Sequence, residues 1–230
     1  MLAEMERRTV PPAAERLKRI AILVSGHGRG SNMQAIVDAC KDGRIRGEVV
    51  LVLGTRAGAP ALERARQAGV PTAVLKPGAA SDASHYGDRM LALLTERGVD
   101  LLCLAGYMRL LPRRVVAAYR WRAMNVHPAL LPRFGGKGMY GEAVHRAVLD
   151  AGVSHSGCTV HFVDDQYDHG PSIVQTQVPV LDGDSPETLA ARVLPQEHRT
   201  YVEAVALFCD GRVSVRDGCV VISPARGDAG

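Results

Sequence analysis

Asn125 and His127 stand two residues apart, interleaved with the apolar Met124 and Val126, and on an extended strand residues two apart share a face. A carboxamide that donates hydrogen bonds and an imidazole that exchanges protons near neutral pH therefore aim at one spot. Pro128 biases His127 toward extended backbone and Pro132 restricts the way out. The pair is expected at a strand end opening into a stiff loop, which is where α/β proteins place their chemistry.

A second polar group lies in residues 157–171, where His161 alternates with apolar neighbours and Asp168 precedes Gly170-Pro171. Singly, His161 reads as a half-buried structural histidine and Asp168 as a turn former. Together with Asn125 and His127 they suggest more. A carboxylate near His127 favours its imidazolium, and the Asn125 amide can donate to a developing oxyanion. Ser31 and Cys158 lie in no recognisable nucleophile elbow or redox motif. This set suits transfer of an acyl group directly to a bound amine, because the substrate is then its own nucleophile. The protein need only orient, stabilise and shuttle protons.

The stretch Ser25-Gly-His-Gly-Arg-Gly-Ser-Asn32 follows an apolar run at 20–24 and precedes Met33, Ile36, Val37 and Cys40 at helical spacing. It reads as strand, glycine loop and helix, with Ser31-Asn32 expected to cap the helix and its free N–H groups able to hold an anion. Arg29 is a possible phosphate partner. A tight turn with a helix cap is the alternative. Met33 stands where the third glycine of G-x-G-x-x-G would be and no Walker lysine is present, which disfavours dinucleotide or ATP binding.

The elements that must position these groups follow the same alternation. Strands are expected at 49–53, 72–75, 100–104 and 123–126, and helices at 59–67, 86–97 and 112–119. This order argues for a parallel sheet with helices on both faces. Later strands are expected at 158–163 and 172–180, a long helix from Ser185, and a hairpin at 212–223 turning on Asp217-Gly218. Residues 1–18, with Pro11-Pro12, read as an arm outside the fold. Residues 19–217 form the expected catalytic domain, followed by a C-terminal strand and tail at 218–230.

Composition limits the function classes. The 230 residues are 47% hydrophobic, with 28 basic and 24 acidic residues scattered through the chain, enough for one sizeable core and without the clustered charge of a nucleic-acid binder. Five cysteines lack any CxxC spacing, which suits a reduced cytoplasmic interior and no zinc site. No apolar run approaches the roughly 20 residues of a membrane span.

These motifs, with Leu104-Ala-Gly-Tyr-Met-Arg-Leu-Leu111 and Asn125-Val-His-Pro-Ala-Leu-Leu-Pro132, resemble those of the folate-dependent phosphoribosylglycinamide formyltransferases, in the same order over residues 19–215. The resemblance implies a Rossmann-like, mostly parallel sheet with partly antiparallel C-terminal strands. It implies formyl transfer from 10-formyltetrahydrofolate, without a metal, to glycinamide ribonucleotide, by a monomer or homodimer acting on small molecules and not on nucleic acid or membrane. By motif, Asn125, His127 and Asp168 match the catalytic trio, with Asn125 on the formyl oxygen and Asp168 keeping His127 cationic. Gly30, Ser31, Asn32 and Glu197 match ribonucleotide contacts. Met108, Arg109, Leu110 and Leu111, with Asn125 and with Asp164, Asp165, Gln166, Tyr167 and Asp168, match the folate-binding segments, and His161 becomes a supporting residue.

The chain departs from that pattern in four places. The glycine loop is longer, Ala83 replaces an arginine toward the folate tail, and Leu194 replaces a polar residue. Residues 133–142 form a lengthened loop, either a flap over the nucleotide or a tolerated insertion. Pro195 should kink or restart its helix. Rival readings are a formyltetrahydrofolate deformylase or another folate-dependent formyltransferase, and a silent nucleotide-binding module. A deformylase would release formate with no ribonucleotide present, and a binding module would do nothing.

Overall fold

Strand β1 (Lys18–Val24) shows why the apolar run at its centre carries no polar alternation: Ile20, Ile22 and Val24 enter one core while Ala21 and Leu23 enter another on the opposite face. Strands covered on both faces read as continuous hydrophobic runs. In this computed structural model residues 16–26, 28–78 and 83–225 are described, without the side chains of Ala83 and Ser84. Most of the expected arm, the 226–230 tail, His27 and the proposed effect of Ala83 on the folate tail lie outside the described residues.

From β1 the chain runs through α1 (Ser31–Lys41), β2 (Gly47–Gly54), α2 (Pro60–Gln67), β3 (Thr72–Val74), α3 (Ala83–Glu96), β4 (Leu101–Leu104), α4 (Arg113–Ala118) and β5 (Ala123–His127). It continues through α5 (Glu142–Asp150), β6 (His155–Phe162), β7 (Ser172–Pro179), α6 (Pro186–Cys209), β8 (Val213–Arg216) and β9 (Cys219–Ile222). One sheet is ordered β3-β2-β1-β4-β5-β6-β7, parallel through β5 and antiparallel at β6 and β7. Buried residues of α1, α2, α5 and α6 join the core on one face, and those of α3 and α4 the other. This is the expected mostly parallel α/β fold, and β8 and β9 form the separate antiparallel hairpin turning at Asp217-Gly218. Strand order reverses between β1 and β4, and the crevice beyond the strand ends at such a switch is the usual ligand site.

Three local expectations need correction. Residues 142–150 form α5, which burial of Val144, His145 and Val148 on one face stabilises; the lengthened loop therefore ends at Gly141. Helix α1 is not capped by Ser31-Asn32. Its N-cap is Gly30 at φ 76°, where an added Cβ would stand 2.7 Å from that of Ala61, and Ser31 and Asn32 are its first two residues. Of the kink or restart expected at Pro195, the restart does not occur, since α6 runs through it as one helix. Leu189 and Val193 before the proline, and Tyr201 and Val205 after it, sit in one core, and that shared burial outweighs the roughly 3 kcal/mol cost of an interior proline.

Among the described residues no helix is long and apolar enough to cross a membrane. Tyr201, fully buried on α6, places its hydroxyl 3.0 Å from the carbonyls of both Leu104 and Met124, tying the ends of β4 and β5 together beneath the crevice. Tyr201→Phe removes that donor and should lower unfolding free energy by about 1–3 kcal/mol in urea denaturation; a loss below about 0.5 kcal/mol would mean the tie contributes little.

Candidate active site

The antiparallel pairing of β5 with β6 assembles the polar cluster. Its register sets Asn125 opposite His161 and His127 opposite Thr159, and directly opposed residues on one face touch. Asn125 Nδ2 lies 3.2 Å from His161 Nε2. His161 Nδ1 donates to the Phe162 carbonyl at 2.8 Å, which fixes the orientation of the ring beside the amide. Asp168 arrives from the loop after β6 in a left-handed conformation at φ 52°, which short polar side chains tolerate. Its Oδ2 is 3.4 Å from His127 Nδ1 and its Oδ1 is 3.6 Å from His161 Nε2 and 3.5 Å from Asn125 Nδ2. The catalytic trio named from sequence, with His161, thus converges on one side of one cavity.

Thr159 fixes the chain leaving β5. Its hydroxyl donates to the Ala129 carbonyl at 2.7 Å and accepts from the Leu131 N–H at 3.0 Å, while Gln175 Nε2 reaches both Thr159 Oγ1 and the Leu131 carbonyl at 2.9 Å. The anchored segment then delivers the Phe134 carbonyl to His127 Nε2 at 2.8 Å and the Gly136 N–H to Asp168 Oδ2 at 3.0 Å.

A carbonyl only accepts, so Nε2 of His127 carries a proton and Nδ1 is the ring atom that titrates, facing Asp168. Burial at 3% exposure pushes the imidazole below its ordinary value, against the upward pull of Asp168 and the Phe134 carbonyl. The expectation that Asp168 keeps His127 cationic meets an opposing effect: in the ligand-free protein desolvation outweighs the carboxylate and favours the neutral ring. For Asp168, burial raises the carboxyl, but His161, His127 and the Gly136 N–H together hold it below the ordinary range, ionised beside the neutral ring.

The cavity, about 480 Å³, is lined by Met108, Arg109, Leu110 and Leu111 after β4, by Asn125, His127 and His161, by Gln166, Tyr167 and Asp168, and by Glu197 on α6. Met108 and Leu110 are large apolar side chains left 48% and 41% exposed at its wall, a surface suited to a flat apolar ring. Asp164 and Asp165 do not line it. Asp164 instead accepts from the Gln166 N–H and pairs with His169, stabilising the turn that carries Asp168. Gly30, Ser31 and Asn32 also lie outside the cavity wall. They are joined to it by one hydrogen bond, from Asn32 Nδ2 to Glu197 Oε2 at 2.8 Å. Burial raises the Glu197 carboxyl and the Asn32 bond lowers it in part. Arg56, which donates to the Gly26 carbonyl at 2.9 Å, sets a cation beside the glycine loop. Among the described residues no group of three His, Cys, Asp or Glu side chains is arranged to hold a metal ion.

Of the two expectations for the lengthened loop, the surface insertion is set aside, since residues 136–141 line the cavity. One contributor was not expected from the sequence. His145 on α5 also lines the cavity, 4% exposed, with Nδ1 unpartnered. The spacing of Val144, His145 and Val148 was the available signal for that buried face.

His127, His145 and His198 are each pushed below 6.5 with burial the leading cause. The unfolded chain binds protons below that value which the folded chain refuses, so stability present above about pH 6.5 is lost as pH falls through it. Urea midpoints measured from about pH 8 to 5.5 should fall with acidification, and His145→Asn should flatten the decline. A midpoint that rises toward pH 5.5 would contradict this.

The formyl transferase family profile matches residues 18–205. The chain is 42% identical over 219 residues to a phosphoribosylglycinamide formyltransferase, chloroplastic, of Arabidopsis thaliana, covering 94% of this chain and 73% of that one. It is 40% identical over 207 residues to the phosphoribosylglycinamide formyltransferase of Escherichia coli, covering 90% and 94%. Among solved structures, glycinamide ribonucleotide transformylase 1 from Symbiobacterium toebii superposes with a TM-score of 0.83 at 45% identity, covering 90% of this chain and 94% of that one.

Proposed function

The chain belongs to the formyl transferase family, and from that premise we propose that it transfers the formyl group of 10-formyltetrahydrofolate to the glycine amine of N1-(5-phosphoribosyl)glycinamide, a step of purine synthesis. The observation that carries the reading is the convergence of an amide, an imidazole and a carboxylate on one cavity, in a chain about 40% identical to enzymes bearing that name.

The amine attacks the formyl carbon, a C–N bond forms, and the bond from that carbon to N10 of the folate breaks. One proton passes from the amine to N10. Asn125 donates to the formyl oxygen as charge develops there, using an N–H that otherwise rests against Asp168 at the long distance of 3.5 Å. Neutral His127 takes the amine proton on Nδ1, Asp168 stabilises the imidazolium while it lasts, and the proton then goes to the leaving nitrogen. The folate ring would lie against residues 108–111 and 166–168. The sugar would meet Glu197, with the phosphate at Gly30, Ser31 and Asn32 beside the N-terminus of α1. In this reading residues 19–217 are the catalytic domain, and five unpaired cysteines suit a reducing cytoplasmic setting.

Tetrahydrofolate release should require the ribonucleotide. Formate release without it would favour a deformylase, and no release in either case a binding module. Asn125→Ala should lower kcat by about 10²- to 10³-fold, and an unchanged rate would remove it from the mechanism. Asp168→Asn removes the charge supporting the imidazolium, so the limb of the turnover profile that reports His127 should move to lower pH; an unmoved limb would refute the coupling. Changes at Ser31 and Asn32 should raise KM for the ribonucleotide, whereas a rise confined to the folate would contradict the assignment.

A further inference from the structure

We propose that residues 134–136 are a positioning element for the transfer chemistry: the Phe134 carbonyl fixes which nitrogen of His127 exchanges the proton, and the Gly136 N–H holds the Asp168 carboxylate against that nitrogen. The proposal rests on the formyl-transfer reading for its kinetic consequence and on geometry for its existence. Three consecutive residues grip both members of one buried pair, from opposite ends and through backbone groups alone. Removing the side chains would not remove the contacts; moving the backbone would.

The backbone shows the cost of that grip. Phe134 is a non-glycine residue at φ 59° and Gly136 sits at φ 104°. A bulky side chain held in the left-handed region is strained, and such residues persist only where their surroundings over-determine them. Here the surroundings are explicit. Thr159 and Gln175 fix the segment on its upstream side, the Phe134 ring packs against the core with the Arg133 guanidinium 4.9 Å above it, and Gly135 passes so close to Asp168 that a Cβ would stand 3.1 Å from the aspartate Cβ and 2.6 Å from Leu131 Cδ2. Without the Phe134 carbonyl, nothing among the described contacts prevents His127 from carrying its proton on Nδ1, which would then face Asp168 as a ground-state donor and could not accept from the amine.

Three further titratable groups surround the pair: His161 on β6, His145 on α5 and, across the cavity, Glu197 on α6. Variants at 134 leave all three unchanged. Phe134→Asn loses the ring but keeps a residue that tolerates positive φ, and Phe134→Val brings a β-branched residue that does not. The readouts are the pH profile of kcat and the proton NMR titration of His127 in the ligand-free protein, with melting temperature as the folding control.

Phe134→Asn should keep the titration of His127 near that of the parent. Phe134→Val should move it to lower pH and reduce kcat on the order of 10-fold or more, as for impaired proton transfer, with smaller changes in either KM. Equal effects of the two variants would assign the role to ring packing, and no effect of either would remove it; both results overturn the proposal. Should Phe134→Val not fold, Gly136→Ala tests the other end, since an alanine at φ 104° must shift the N–H away from Asp168. The predicted result is an Asp168 carboxyl that titrates higher, and an unmoved carboxyl overturns the proposal. If ribonucleotide-dependent transfer is absent from the parent protein, the function reading fails, while the NMR comparison still decides the positioning role.

Discussion

His127 and Asp168 are removed from water 3.4 Å apart, at 3% and 10% side-chain exposure, where a charge on either is costly unless neighbours compensate it. The carboxylate accepts from the Gly136 N–H and is held below the ordinary carboxylate range, while burial leaves the imidazole below its own ordinary value. The result is an ionised acid beside a neutral base whose titrating nitrogen faces it. That state can accept a proton from an incoming amine and stabilise the cation so formed. A pair already ionised on both sides could donate but not accept.

The fold builds this pair by changing strand direction at one place. Parallel strands through β5 put strand ends and the first glycine loop on one edge of the sheet, antiparallel β6 then runs back alongside β5, setting His161 against Asn125, and the loop after β6 brings Asp168 to the same groups. Helix α6, held by the Tyr201 hydroxyl to β4 and β5, brings Glu197 to the cavity and, through Asn32, to the start of α1. Asn125, His127 and Asp168, the Glu197 carboxyl and the first glycine loop are thereby joined across elements far apart in sequence.

Strand β1 and its neighbours are legible in the sequence because burial on both faces leaves unbroken apolar runs, and Asn125 with His127 because period two is visible over three residues. The long helix is legible at its start because Ser185 and Thr188 form a capping box. Other features depend on distant partners that no local pattern reports. Asn32 looks like a cap, yet its amide is taken by Glu197, 165 residues away. Pro195 looks like a break until the shared core on both sides is seen. Helix α5 is short and follows a run of glycines, so its three buried residues give a weak signal. The protonation of His127 follows from burial and from a main-chain carbonyl, and neither leaves a side-chain signature.

The most direct measurement of this account is the tautomer of His127 in the ligand-free protein, read from the ¹⁵N chemical shifts of its two ring nitrogens above the titration range. The account requires a proton on Nε2 and a bare Nδ1 turned toward Asp168. A protonated Nδ1 with a bare Nε2, or a ring carrying both protons well above neutral pH, would contradict it.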